Sequence, residues 1–236
     1  MAVIDRPIIL PKLAFLTAWS MLDVGQLPTA FGSNVHHWTS ADGQRELEAR
    51  AMAALTDLGL ARNRRLNDLW RSTIHVLAGA SREYYAFSNF ADGQSCSVLI
   101  AASDEDAIRA VIDDHVVSLE PIENKWFATA LLDTLPEVPA AAIRSATVSK
   151  AADEADAQDL ERLNEAMRRP RDAVHQIYVA RRGAEGERRR SVPITAVDIR
   201  DTGRVIVYTG SDGDIVMTPA SARQFVRTLN TTYDGL

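Results

Sequence analysis

One cysteine in 236 residues, Cys96, leaves no internal disulfide and no cysteine-rich metal site, a usage that fits a reducing cytosol. Long apolar runs are missing as well, and nothing approaches the roughly 20 residues of a membrane-spanning helix. Asp5, Arg6 and Lys12 interrupt the opening "MAVIDRPIILPKLAFLTAWSML" where a signal peptide needs an unbroken apolar core. Cationic excess is absent too. A net charge of −6 argues against a general nucleic-acid binder, whose affinity comes from neutralising phosphates. The expected location is the cytoplasm, with neither a membrane nor a nucleic acid as partner.

Catalytic motifs are equally scarce. There is no Gly-x-Ser-x-Gly elbow, and "SATVSK" (145–150) does not keep the Ser-x-x-Lys spacing. His36 and His37 are adjacent, so in extended backbone they point to opposite sides and rarely share a metal. His75 reads as a partly buried packing residue, His115 as a turn residue and His175 as the start of a strand. Cys96 alternates with Val98 and Ile100, where a thiol behaves as a small hydrophobe. The carboxylate groups at 104–106, 113–114 and 153–159 read as caps, turns or a solvated helix face. No catalytic residue, cofactor or metal is expected.

What is present is a soluble-protein composition, 46% hydrophobic and 25% charged, with clear periodicity. A first helix is predicted after Pro11 on Leu13, Leu16, Trp19 and Leu22, stopping at Gly25, and "LPTAF" (27–31) as a short edge strand. A second helix, capped by Ser40 or Asp42, carries Leu47, Ala51, Met52, Leu55 and Leu58 on one face and ends at Gly59. A third starts at Asn67 and buries Leu69, Trp70, Ile74 and Leu77. The period then changes to two. Segments 82–90 and 94–102 flank the turn Ala91–Asp92–Gly93, a hairpin signal. Segments 107–113 and 116–122 form a second hairpin; the first of these suits either period, and strand is preferred because a tight turn and a β-branched run follow it. Asn124 caps a helix with Trp126, Phe127, Ala130 and Leu131 inward.

The second half repeats this plan. A polar helical region (149–169) has a thin stripe of Ala157, Leu160, Leu163 and Met167, and strands follow at 175–182, 191–200, 204–210 and 214–218. Pro219 opens a last helix with Ala222, Phe225, Val226, Leu229 and Tyr233. Between the last two strands, "TGSDGD" lacks the strand–loop–helix order of a phosphate cradle and the oxygen series of a calcium loop, so it is expected to be a hairpin turn. The repeated element order predicts an α+β fold: a two-lobed, pseudo-symmetric antiparallel sheet core flanked by helices. It is a single domain over 1–236, with halves at about 12–136 and 140–233. Each half-sheet would bury its apolar face in one continuous or paired central sheet. "ARRGAEGERRRS" (180–191) gathers five arginines around a hairpin tip, open to three readings: a solvated loop, a contact for an acidic protein surface, or a nucleic-acid contact without interleaved aromatics.

The block "RELEARAMAALTDLGLARNRRLNDLWRSTIHVLAGASREYYAF" (45–87) resembles the N-terminal half of the EspG family of actinobacterial type VII (ESX) secretion-associated proteins. The tail "GRVIVYTGSDGDIVMTPASARQFVRTL" (203–229) resembles that family's closing strand, Gly/Asp turn, strand and final helix, and the pattern covers roughly 12–233. The resemblance implies a two-lobed α+β fold and a non-enzymatic cytosolic chaperone. Such a protein binds the helical tip of a PPE protein in a PE–PPE heterodimer, keeps it soluble and directs it to the secretion channel. The extended early loop of longer relatives is here only "ADGQ" after Phe90. Partner contacts are accordingly expected at Phe90, Asp92 and Gln94, and along the charged helix at Leu160, Leu163 and Met167, which suit packing onto the body equally well. The alternative reading is a non-secretory protein-binding or regulatory module that uses the arginine hairpin 181–190.

Overall fold

A computed structural model of the chain describes residues 3–32, 40–103, 105–149, 156–183, 185–210 and 212–236. His36–His37, Asp104, Lys150, Asp153 and Ser211 lie outside them. The fold is α+β, with antiparallel strands flanked by helices, and the chain divides into two compact units, Met1–Glu83 with Cys96–Ala130, and Tyr84–Ser95 with Leu131–Leu236.

In the first unit, β1 (Ile8–Pro11), β7 (Val116–Ile122), β6 (Ala107–Ile112) and β5 (Ser95–Ala102) lie side by side in that order. β6 is a strand: a tight turn follows it, in which the Asp113 carboxylate accepts hydrogen bonds from the backbone N–H of His115 and Val116, both at 2.7 Å. The helices α1 (Lys12–Leu22), α2 (Ala41–Asp57) and α3 (Asp68–Ala78) complete this unit, with the small hairpin β2 (Ala61–Arg62) and β3 (Arg65–Leu66) between the last two. Ser40 and Asn67 cap α2 and α3 as their positions predict, each side chain accepting from a backbone N–H three residues on. The core is aromatic. Phe15 stacks on Phe31 at 4.4 Å, and Trp70 meets Phe15 edge-on.

Several expectations are corrected here. α1 buries Ala14, Phe15, Ala18 and Trp19 instead of the leucine stripe, because the aromatic pair sets which face turns inward. Asp23, at φ 48°, takes the left-handed cap ahead of Gly25. Residues 29–31 form a single 3-10 turn rather than an edge strand, placing Phe31 against Phe15. Leu69 is partly exposed, and His75 lies on the solvent side of α3. Trp126 faces solvent at 69% exposure from a left-handed residue just before the short helix α4 (Phe127–Leu132).

The second unit contains β4 (Arg82–Phe90), apart from its first two residues, then β9 (Arg171–Arg182), β11 (Ile194–Ile199), β12 (Gly203–Thr209), β13 (Ile215–Pro219) and β8 (Ala146–Val148), side by side in that order. β10 (Arg188–Arg190) pairs with β9. The stretch after Thr209 is the expected turn: Thr209 faces Ile215, and Gly210 and Asp214 close it with a 2.8 Å bond. Pro219 ends β13 instead of opening the last helix. Ser221 caps that helix, α6 (Ala222–Asp234), by accepting from Gln224 N–H.

Strand alternation gives this sheet two distinct faces. One carries Tyr84, Ser88, His175, Ala196 and Ile206; α6 approaches it, with Tyr233 stacked on Tyr84 at 5.6 Å. The other carries Val174, Val197, Val205 and Met217, and α5 (Ala157–Arg168) packs there through Ala166, Leu163 and Met167.

Candidate partner-binding face

α5 covers only part of its face. Beyond it, Gln176 and Asn89 are exposed, and Phe87, Tyr178 and Thr195 are half-buried. The rings form a cluster fixed by two neighbouring strands, β4 and β9. Tyr85 and Tyr178 stack at 5.2 Å with planes 18° apart, and Phe87 meets both edge-on at 5.9 and 6.3 Å. β10 then lays two cations on it. Arg190 lies 4.9 Å from the Tyr178 centroid and Arg188 5.7 Å from that of Tyr85, distances at which the ring's negative face attracts a cation. The arginine segment is therefore an ordered strand, registered on β9 by Arg188 opposite Arg182 and Arg190 opposite Ala180.

Phe90, Asp92 and Gln94 do come together. The Asp92 carboxylate accepts from Gln94 N–H at 2.9 Å, Phe90 N–H donates to Gln94 O at 2.9 Å, and Gly93 supplies the positive φ. Asp92 and Gln94 are exposed at the tip, whereas the Phe90 ring turns to the α6-side face and meets His175 edge-on at 6.0 Å. A bulge anchors the turn. The β9–β11 register skips Asp172 opposite the Asp198–Ile199 step, so the Asp172 carbonyl accepts from Ala91 N–H and its carboxylate holds Arg200. Leu160 is 44% exposed on α5, whereas Leu163 and Met167 pack on the core beneath the helix. Asp159 fastens α5 to β8 by accepting from Thr147 N–H and pairing with Arg162. Tyr85, Phe87 and Tyr178 were not singled out as functional from sequence. Their signal was the two-residue spacing Tyr85–Phe87, which puts both rings on one face.

The opposite face holds a buried polar chain. His175 Nδ1 lies 2.8 Å from Ser88 Oγ and its Nε2 lies 3.2 Å from Asp198, which pairs with Arg204 through two contacts at 2.5 and 2.8 Å. Arg204 also donates to the Pro136 carbonyl at 2.9 Å. Burial works against the Asp198 charge, but hydrogen bonds from Arg204 and His175 and the Arg204 charge outweigh it and hold its pKa below the usual carboxylate value. The Ser–His–Asp order is that of a hydrolytic triad, yet Ser88, His175 and Asp198 are all at most 3% exposed, so a substrate carbonyl cannot reach the hydroxyl. The chain instead ties β4, β9, β11 and β12 together. Among the described residues no group of three or more potential ligands is placed to hold a metal, and no helix is long and apolar enough to cross a membrane.

The sequence profile of the EspG family matches residues 11–231. No curated protein sequence matches the chain. Among solved structures, the fold is similar to that of the Mycobacterium tuberculosis type VII secretion system chaperone EspG5, solved in complex with the PE25–PPE41 dimer. The TM-score is 0.75 at 16% identity, covering 98% of this chain and 96% of that one.

Proposed function

From the premise that the chain belongs to the EspG family, we propose that it is a cytoplasmic, non-enzymatic chaperone of type VII secretion that holds the helical tip of a PPE-like protein in a PE–PPE heterodimer. The observation that carries this reading is a fold shared over 98% of the chain with a chaperone solved on such a dimer. The open face beside α5 supports it. Tyr, Phe and Arg are the residues enriched where proteins bury one another, and here they lie on a rigid sheet with polar Gln176 and Asn89 at hand. Covering an apolar helical tip keeps the cargo from self-association. The turn residues Phe90, Asp92 and Gln94 and the α5 residues Leu160, Leu163 and Met167 are proposed to border this site, with Asp92, Gln94 and Leu160 the ones that touch cargo.

We also propose that the chain is one domain of two related halves, 12–136 and 140–233. Element order supports it: α3, four strands and α4 in one, and α5, strands β9 to β13 and α6 in the other.

The test is co-expression with a PE–PPE pair encoded beside this gene. The expected result is a complex that co-elutes on size exclusion and a cargo that precipitates or fails to be exported without the chaperone. Cargo equally soluble and equally secreted in its absence overturns the reading.

A further inference from the structure

We propose that Arg190, laid on the Tyr178 ring, is a carboxylate-reading fork, and that the cargo segment seated on this face presents an aspartate or glutamate to it. This rests on the chaperone reading and adds the chemistry required of the cargo. Three observations lead to it. The first is rigidity: Tyr178 stacks on Tyr85, which is fully buried, and β10 is paired to β9, so the floor under the guanidinium is fixed. A guanidinium lying on a ring keeps its N–H edge for other partners, and a pre-ordered planar fork loses little entropy when it takes a carboxylate with two parallel bonds.

The second is that Arg190 forms no ion pair among the described residues. Glu187, three residues before it on the hairpin, is turned away: it lies back over Gly183, where its carboxylate fills the space a side chain would need. The third is a repeated geometry. Arg188 sits two residues along the same side of β10, over Tyr85, so a second guanidinium lies on the same aromatic floor. A polyphosphate backbone fits less well on a molecule of net charge −6.

Isothermal titration of the PE–PPE pair that co-purifies with the wild-type chain tests this, comparing Arg190→Gln and Arg190→Lys. The glutamine variant is expected to bind about tenfold more weakly. The lysine variant keeps the charge without the fork, so it retains the wild-type salt dependence but not the affinity. Raising NaCl from about 50 to about 500 mM is expected to weaken the wild type more than Arg190→Gln. Equal melting temperatures establish that the variants are folded; if the glutamine variant is not, the lysine variant decides. Affinities within about twofold together with parallel salt slopes overturn the inference while leaving the chaperone reading intact. Failure of the wild type to bind any PE–PPE pair overturns that reading instead. Tighter binding of a short single-stranded oligonucleotide than of the pair overturns the inference in favour of a nucleic-acid contact.

Discussion

Asp198 is held by opposing forces whose balance is measurable. It sits 3% exposed between Arg204 and His175, and its pKa is depressed despite burial. A depressed carboxylate contributes stability above its unfolded value of about 3.9, and that contribution is lost as pH falls through the folded value. Urea unfolding of the wild type is therefore expected to give a flat contribution above about pH 5 and a falling limb below about pH 4. Asp198→Asn removes that component of the acid limb and costs about 3 kcal/mol at neutral pH, because Arg204 keeps a buried charge without its counter-ion. An unchanged acid limb in the variant refutes the assignment. Gly203 makes a second residue-scale case. Its φ is +112°, and an added side chain would lie 2.6 Å from the Pro139 carbonyl and 2.9 Å from Ala141 Cα. Gly203→Ala should cost about 3 kcal/mol in the same urea assay, through a left-handed backbone and a clash with main chain that cannot yield. Neither site could be read from sequence in full. The strand was read as starting at 204, just after the glycine, and His175 as opening a strand, but only the register of β9, β11 and β12 brings Asp198, Arg204 and His175 together.

At the scale of elements, α5 separates a packing role from a contact role on one helix. Leu163 and Met167 rest on Val197, Val205 and Met217, whereas Leu160 stands 44% exposed. Leu163→Ala is expected to lower stability by about 1–2 kcal/mol, less than a fully buried leucine would. Leu160→Ser should leave stability within about 0.5 kcal/mol and weaken cargo binding several-fold, read by thermal melting and titration on the same samples. Destabilisation by Leu160→Ser comparable to that of Leu163→Ala would place Leu160 in the core instead. Hairpins and caps were legible because they are local: Ser40 and Asn67 lie where a side-chain oxygen meets free N–H groups, and Asp92–Gly93 suits a tight reversal. Which face of α1 turns inward was not, since Phe15 is chosen by Phe31, sixteen positions away. The aromatic floor under the arginines escaped for the same reason. Tyr85, Tyr178 and Arg190 are distant in sequence and meet only through strand order.

For the whole molecule, chain path sets how unfolding should proceed. The two compact units are not successive stretches of sequence. The chain passes between them after Glu83, after Ser95 and after Ala130, crossings that fall inside β4, β5 and α4. The second unit therefore depends on residues 84–95. Tyr84 stacks on Tyr233, Ser88 occupies one ring nitrogen of His175, and Ala91 N–H is taken by the Asp172 carbonyl. A fragment of residues 140–233 lacks all three and leaves one edge of β9 without its neighbour, so it is expected to show no cooperative melting by circular dichroism and to aggregate through that edge. The proposed single domain makes a sharper demand on the intact chain. Among the described residues the tryptophans, Trp19, Trp70 and Trp126, all lie in the first unit, so their fluorescence reports that unit, while far-ultraviolet circular dichroism reports both. Because β4 cannot be half unfolded without breaking its own backbone ladder, the two signals should follow one urea curve with a shared midpoint. Two separated midpoints, with fluorescence tracking only one of them, would mean that the units unfold independently and that the description as one domain is wrong.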